Sequence, residues 1–117
     1  MKEYKLKDNK KRMTFKSGVS AEIKIDKPRF DLLIPENQKY ENTMLYRFAI
    51  QMAKGAKKYS ERNFEKACSK EELARFKQSA IRHFFQWISN ETDEDHASAV
   101  WFNMLACEYI KEKIKWK

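Results

Sequence analysis

Glycine and proline are almost missing from this chain: 117 residues contain two of each. Sandwiches and barrels use both residues at their many turns, so the scarcity argues against an all-β fold and for helices. Cysteine is equally scarce. Cys68 and Cys107 stand far apart with no CxxC spacing, which excludes a disulfide scaffold and a cysteine zinc site and fits reduced thiols inside a cell. No apolar run approaches the ~20 residues of a membrane span, and the charged N-terminus lacks the apolar core of a signal peptide. The expectation is a cytoplasmic protein with no membrane partner. Internal repeats are absent, and the only biased segments are the lysine-rich ends.

What the chain has is apolar and aromatic content, 42% and 14%, enough for one packed domain and too much for disorder. It also carries a net charge of +8. That excess sits at the ends. Residues 1–30 hold ten Lys and Arg against four acids, and residues 111–117 hold four Lys against one Glu. Between them, eleven basic residues face twelve acidic ones. A duplex-binding domain places its basic stripe on a folded, base-reading element, so the distribution argues against nucleic acid as the partner.

Periodicity divides the chain into a basic arm over 1–12, one helical domain over 13–110 and a basic tail over 111–117, where the last helix frays. Val19, Ala21, Ile23 and Ile25 alternate with polar residues, the pattern of a short strand. Such a strand pairs with residues 13–16, pairs across a symmetry axis, or does not form. Phe30, Leu32, Leu33 and Ile34 make an apolar plug between Pro28 and Pro35, expected to lie extended across the helices. The first helix begins near Asn42 or Thr43 and carries Leu45, Phe48, Met52, Ala56 and Tyr59 on one face. Gly55 interrupts it, which suggests that a backbone or ligand comes close there. Ser69 and Glu72 form a capping box for the second helix. Leu73, Phe76, Ala80, His83, Phe84 and Trp87 line one side of it, and Ile81, Phe85 and Ile88 the next. The third helix, capped by Thr92 or Asp93, shows Ala97, Val100, Trp101, Met104, Leu105 and Ile110 on its apolar side, with His96, Asn103 and Cys107 along a neighbouring line. The reading is all-α: a small bundle of about three main helices with an extended N-terminal segment. The wide apolar arc of the second helix calls for a homodimer or homotetramer made through helices.

Two stretches carry the chemistry. In 54–67, Lys54, Lys58 and Arg62 can hold phosphates, and Tyr59, Asn63 and the loop residue Phe64 can meet a base or sugar. In 91–96, Glu91, Glu94 and Asp95 can share one helical face and hold a divalent cation, Mg²⁺ or Mn²⁺, with His96 beside the nucleotide. His83 and Asp95 are the catalytic candidates, with Arg82 and Asn103 within reach of the nucleotide. Each has a plainer reading: acids at a helix start, basic residues at a helix end, a hydrogen-bonded core histidine.

The order of FKSG, KPRFDLLIP, GAKKYSERNFEKA, SAIRHFFQW and EDHASAVWFN resembles phage dATP/dGTP diphosphohydrolases, grouped with the MazG-type all-α nucleotide pyrophosphohydrolases. Ser60, Phe64 and Asn90 stand where Gly, Trp and Gly are usual, and Glu91–Glu94 has no ExxD after it. The resemblance implies a metal-dependent enzyme in phage nucleotide metabolism that takes a purine dNTP to dNMP and pyrophosphate. Two rivals are a nucleotide-sequestering protein without chemistry and a small basic nucleic-acid binder.

Overall fold

The structure, a computed structural model, describes residues 12–22 and 27–115. Residues 1–11 of the expected arm over 1–12, residues 23–26 of the expected strand and the last two residues of the tail lie outside the described residues; Arg12, the arm's last residue, begins a strand. The chain divides after Leu33 into two compact units.

In the first unit, β1 (Arg12–Thr14) pairs antiparallel with β2 (Ser20–Glu22), with Met13 opposite Ala21. This is pairing with the preceding segment. The hairpin closes at Gly18, whose φ of 92° lies in the left-handed region that glycine enters without a Cβ clash. The Phe15 N–H donates to the Val19 carbonyl at 2.7 Å and the Gly18 N–H to the Phe15 carbonyl at 2.9 Å. The apolar plug is a 3-10 turn over Phe30–Leu33 rather than an extended segment. Arg29 grips Asp31 through two bonds of 2.9 and 2.7 Å, and this clasp between residues two apart folds the chain back on itself.

The second unit holds α1 (Met44–Lys58), α2 (Lys70–Ile88) and α3 (His96–Lys115). Thr43 caps α1 by accepting from the Tyr46 N–H at 3.2 Å. Ser69 caps α2 by accepting from the Glu72 N–H, and Glu72 reaches back to the Cys68 N–H at 3.0 Å. Past Ile88 the chain turns out of α2 at Asn90, left-handed at φ 60°. The Glu91 N–H bonds to the Gln86 carbonyl and the Asn90 N–H to that of Trp87, the paired closure of a Schellman motif.

α1 and α2 both pack chiefly on α3, which is therefore the central helix. Its buried stripe is Ala99, Asn103, Ala106 and Ile110. Of the apolar side read from the sequence, Ile110 is buried as expected, but most of it lies one line over from the observed stripe. Trp101, Met104 and Leu105 are exposed, and the line through His96, Asn103 and Cys107 is buried, because two alanines on that line let neighbouring backbones approach. α3 also runs on through Lys115 rather than fraying after 110. Lys113 explains this: its ammonium donates to the carbonyls of Glu65 and Ala67 and lies 5.0 Å from the Tyr109 ring, clamping the 3-10 turn Asn63–Lys66 to α3. The rest of that contact is aromatic, with Phe64 edge-on to Phe102 and Tyr109. The described residues form a small all-helical bundle with an N-terminal extension.

Candidate functional site

The link between α2 and α3 folds the two helices antiparallel and sets His83, in the penultimate turn of α2, against His96, the first residue of α3. Both side chains are buried. Their Nδ1 atoms lie 2.9 Å apart. His96 Nε2 lies 2.7 Å from a carboxylate oxygen of Asp93, and this contact holds the Asp93 carboxyl below the usual carboxylate range. Burial pushes the His83 imidazole down from its ordinary pKa, and the Arg82 charge adds to the effect.

Asp95 begins α3. Its carboxylate accepts from the Ser98 N–H at 3.2 Å and the Ser98 hydroxyl at 2.9 Å, so Asp95, not Thr92 or Asp93, is the cap. Arg47 of α1 then grips the same carboxylate, Nε to Oδ2 at 2.9 Å and Nη2 to Oδ1 at 2.6 Å. The Arg47 bond, with help from Ser98, holds Asp95 down at about 2. Around this pair Glu41, Tyr46, Arg47, Ile50, Gln51, Lys54 and Asp95 line a cleft of about 120 Å³.

Among the described residues, two groups of side chains have donors close enough to share a cation: His83, Glu94 and His96, and Glu91, Asp93 and His96. The expected set of Glu91, Glu94 and Asp95 is not assembled. Glu91 and Glu94 fall into different groups, and Asp95 is engaged by Arg47 and Ser98. Among the described residues, both groups mix nitrogen with oxygen. That donor chemistry suits Mn²⁺, Co²⁺ or Zn²⁺ better than Mg²⁺, which prefers oxygen throughout.

The basic stretch lies elsewhere. Phe64 packs on Tyr109, and Tyr109 is about four turns, or ~20 Å at ~1.5 Å per residue, along α3 from Asp95. Within one chain the two charged stretches therefore sit toward opposite ends of α3, except that Lys54 lines the cleft with Asp95. Lys58 and Tyr59 are exposed at the end of α1, the Lys58 ammonium 5.2 Å from the Tyr59 ring. Arg62, left-handed at φ 58°, pairs with Glu65 at 2.7 Å, and Asn63 is exposed beside it. Phe64 is half-buried core rather than an open stacking ring. Arg82 is exposed and donates to the Ser79 hydroxyl. Asn103 is buried and donates to the Ala99 carbonyl at 2.8 Å, which makes it a packing residue. Sequence reasoning missed Arg47 and read Asp93 as part of the acidic stretch and a possible cap without assigning it to the site. Arg47 carries no motif. Asp93 could have been found, because a carboxylate three residues before a histidine is placed to orient its ring.

The family model for dATP/dGTP diphosphohydrolase, N-terminal, matches residues 17–116. The chain belongs to that family. Neither a curated protein nor a solved structure gives a significant match.

Proposed function

We propose that this protein is a metal-dependent pyrophosphohydrolase that converts a purine deoxynucleoside triphosphate, dATP or dGTP, to the monophosphate and pyrophosphate. The observation that carries the reading is the start of α3. There, one cleft offers the Arg47 and Lys54 cations, and the next residue along, His96, belongs to both candidate cation groups. A water oxygen attacks the α-phosphorus and gives up its proton to solvent, the bond from that phosphorus to the bridging oxygen breaks, and pyrophosphate departs. Lys54 would bind and orient the phosphate oxygens, with Arg47 adding charge through the nitrogen that Asp95 leaves free, and a cation held by His96 and its neighbouring carboxylates would supply further charge neutralisation and a more acidic water. Glu41 and Gln51 on the cleft wall offer polar contacts to the nucleotide.

The cleft in one chain is too small for such a substrate, since pockets for molecules of that size run from ~300 Å³ upward. A second copy is expected to complete it, and the exposed apolar side of α2 supports that assembly. In a symmetric pair, Lys58 and Arg62 of one copy can approach the α3 start of the other. Purified protein incubated with each dNTP and Mn²⁺ or Mg²⁺ tests the reading. Pyrophosphate should be released from dATP or dGTP faster than from the pyrimidine nucleotides. Release from none of the four would overturn it.

Binding without hydrolysis is favoured by one observation: Asp95, expected to serve catalysis, is already engaged by Arg47 and Ser98. It predicts saturable dNTP binding with no pyrophosphate.

A further inference from the structure

His83 and His96 present a chemical puzzle that the proposed reaction leaves open: what lies between their rings. Two ring nitrogens 2.9 Å apart cannot both hold lone pairs toward one another without something between them. In the metal-free protein that is a single proton. His96 uses its other nitrogen, Nε2, on the Asp93 carboxylate at 2.7 Å. If Nε2 carries the hydrogen, His96 Nδ1 is the acceptor and His83 Nδ1 the donor. Both rings are buried at a helix–helix contact, where a polar pair is costly unless satisfied. Glu94, exposed on the link, has a carboxylate oxygen within the same 4.8 Å group.

We propose that His83, His96 and Glu94 form a binding site for a transition-metal dication, with Asp93 as the residue that orients His96. The cation replaces the shared proton between the two Nδ1 atoms and takes Glu94 as its oxygen ligand. Asp93 accepts the His96 Nε2–H, fixing the tautomer and raising the basicity of the ligating nitrogen, as carboxylate partners of metal-bound histidines do. Two imidazoles and one carboxylate leave coordination positions open and select Co²⁺, Zn²⁺ or Mn²⁺ over Mg²⁺. The site rests on the metal dependence proposed above only for its use in catalysis; binding is a property of these residues alone.

The test is titration of the full chain, stripped with chelator, by Co²⁺ without nucleotide, followed by the visible absorption of the bound ion and by calorimetry. The expected result is one site per chain that millimolar Mg²⁺ does not displace. Glu94→Gln, in an exposed link where folding is not at risk, should weaken binding, and His96→Gln should abolish the visible band. Asp93→Asn should weaken binding by ~10–100-fold while keeping a nitrogen-type spectrum. Glu91→Gln should change nothing. Circular dichroism of each variant separates lost ligation from lost folding. The proposal is overturned if no Co²⁺ binds, if Mg²⁺ competes on equal terms, or if Glu91→Gln abolishes binding while Glu94→Gln does not. Tight Co²⁺ binding with no pyrophosphate from any dNTP upholds the site and removes the enzyme reading instead.

Discussion

Asp95 does three things with one carboxylate: it caps α3, binds the Ser98 hydroxyl and pairs with Arg47. Its pKa of about 2 lies below the ordinary ~3.9. A depressed folded-state value means that the stabilisation is complete above pH ~4 and is lost as pH falls toward 2. Because Arg47 is 41% exposed, solvent screens the pair, and the contribution is on the order of 1–2 kcal/mol. Asp95→Asn should lower stability by about that amount at neutral pH and flatten the acid limb between pH 4 and 2. Urea midpoints measured across that range decide it; an unchanged acid slope would mean that the pair contributes nothing. At this scale the sequence was only partly legible. His83, Asp95 and His96 stood out by type, but their partners did not. Arg47 is 48 positions from Asp95, and Phe64 reads as a loop aromatic until the 3-10 turn presses its ring on Tyr109.

Among the elements, the caps made the first two helices readable: Thr43, and Ser69 with Glu72, mark the observed starts. The third start was misread because Thr92, Asp93 and Asp95 all suit a cap. The choice among them depends on where the α2 closure sends the chain and on Arg47 waiting across the gap. Gly55 was read as a point of close approach, yet a Cβ there would meet nothing within 4 Å. In the single chain it is an ordinary helix position where glycine costs backbone entropy. Gly55→Ala should therefore stabilise the fold by roughly 0.5–1 kcal/mol. Chemical denaturation measures this directly. A destabilised variant would show that a second copy or a ligand presses on the α1 backbone at this point.

Within the second unit α3 lies in the middle, with α1 and α2 packed on it. On α2, Ile81, Phe84, Phe85 and Ile88 fall at i, i+3, i+4 and i+7, one continuous stripe, and every one of them is exposed. Solvent does not explain so regular an apolar stripe, whereas a facing helix does. Symmetry supplies the facing helix at no cost in new sequence, because the same stripe on a second copy is self-complementary. Phe85, at 62% exposure, is the sharpest probe. In a protein that stays monomeric, Phe85→Glu changes an exposed side chain and should shift stability by no more than ~0.5 kcal/mol. In a helix-paired dimer or tetramer it buries a charge in the seam and breaks the assembly. Light scattering at micromolar concentration should find the wild type as an oligomer and Phe85→Glu as a monomer with its helical signal retained. The same variant should lose dNTP hydrolysis, since the cleft at the α3 start would lose the copy that completes it. A wild-type monomer would instead leave the cleft at the α3 start, about 120 Å³, without the second copy proposed to complete it.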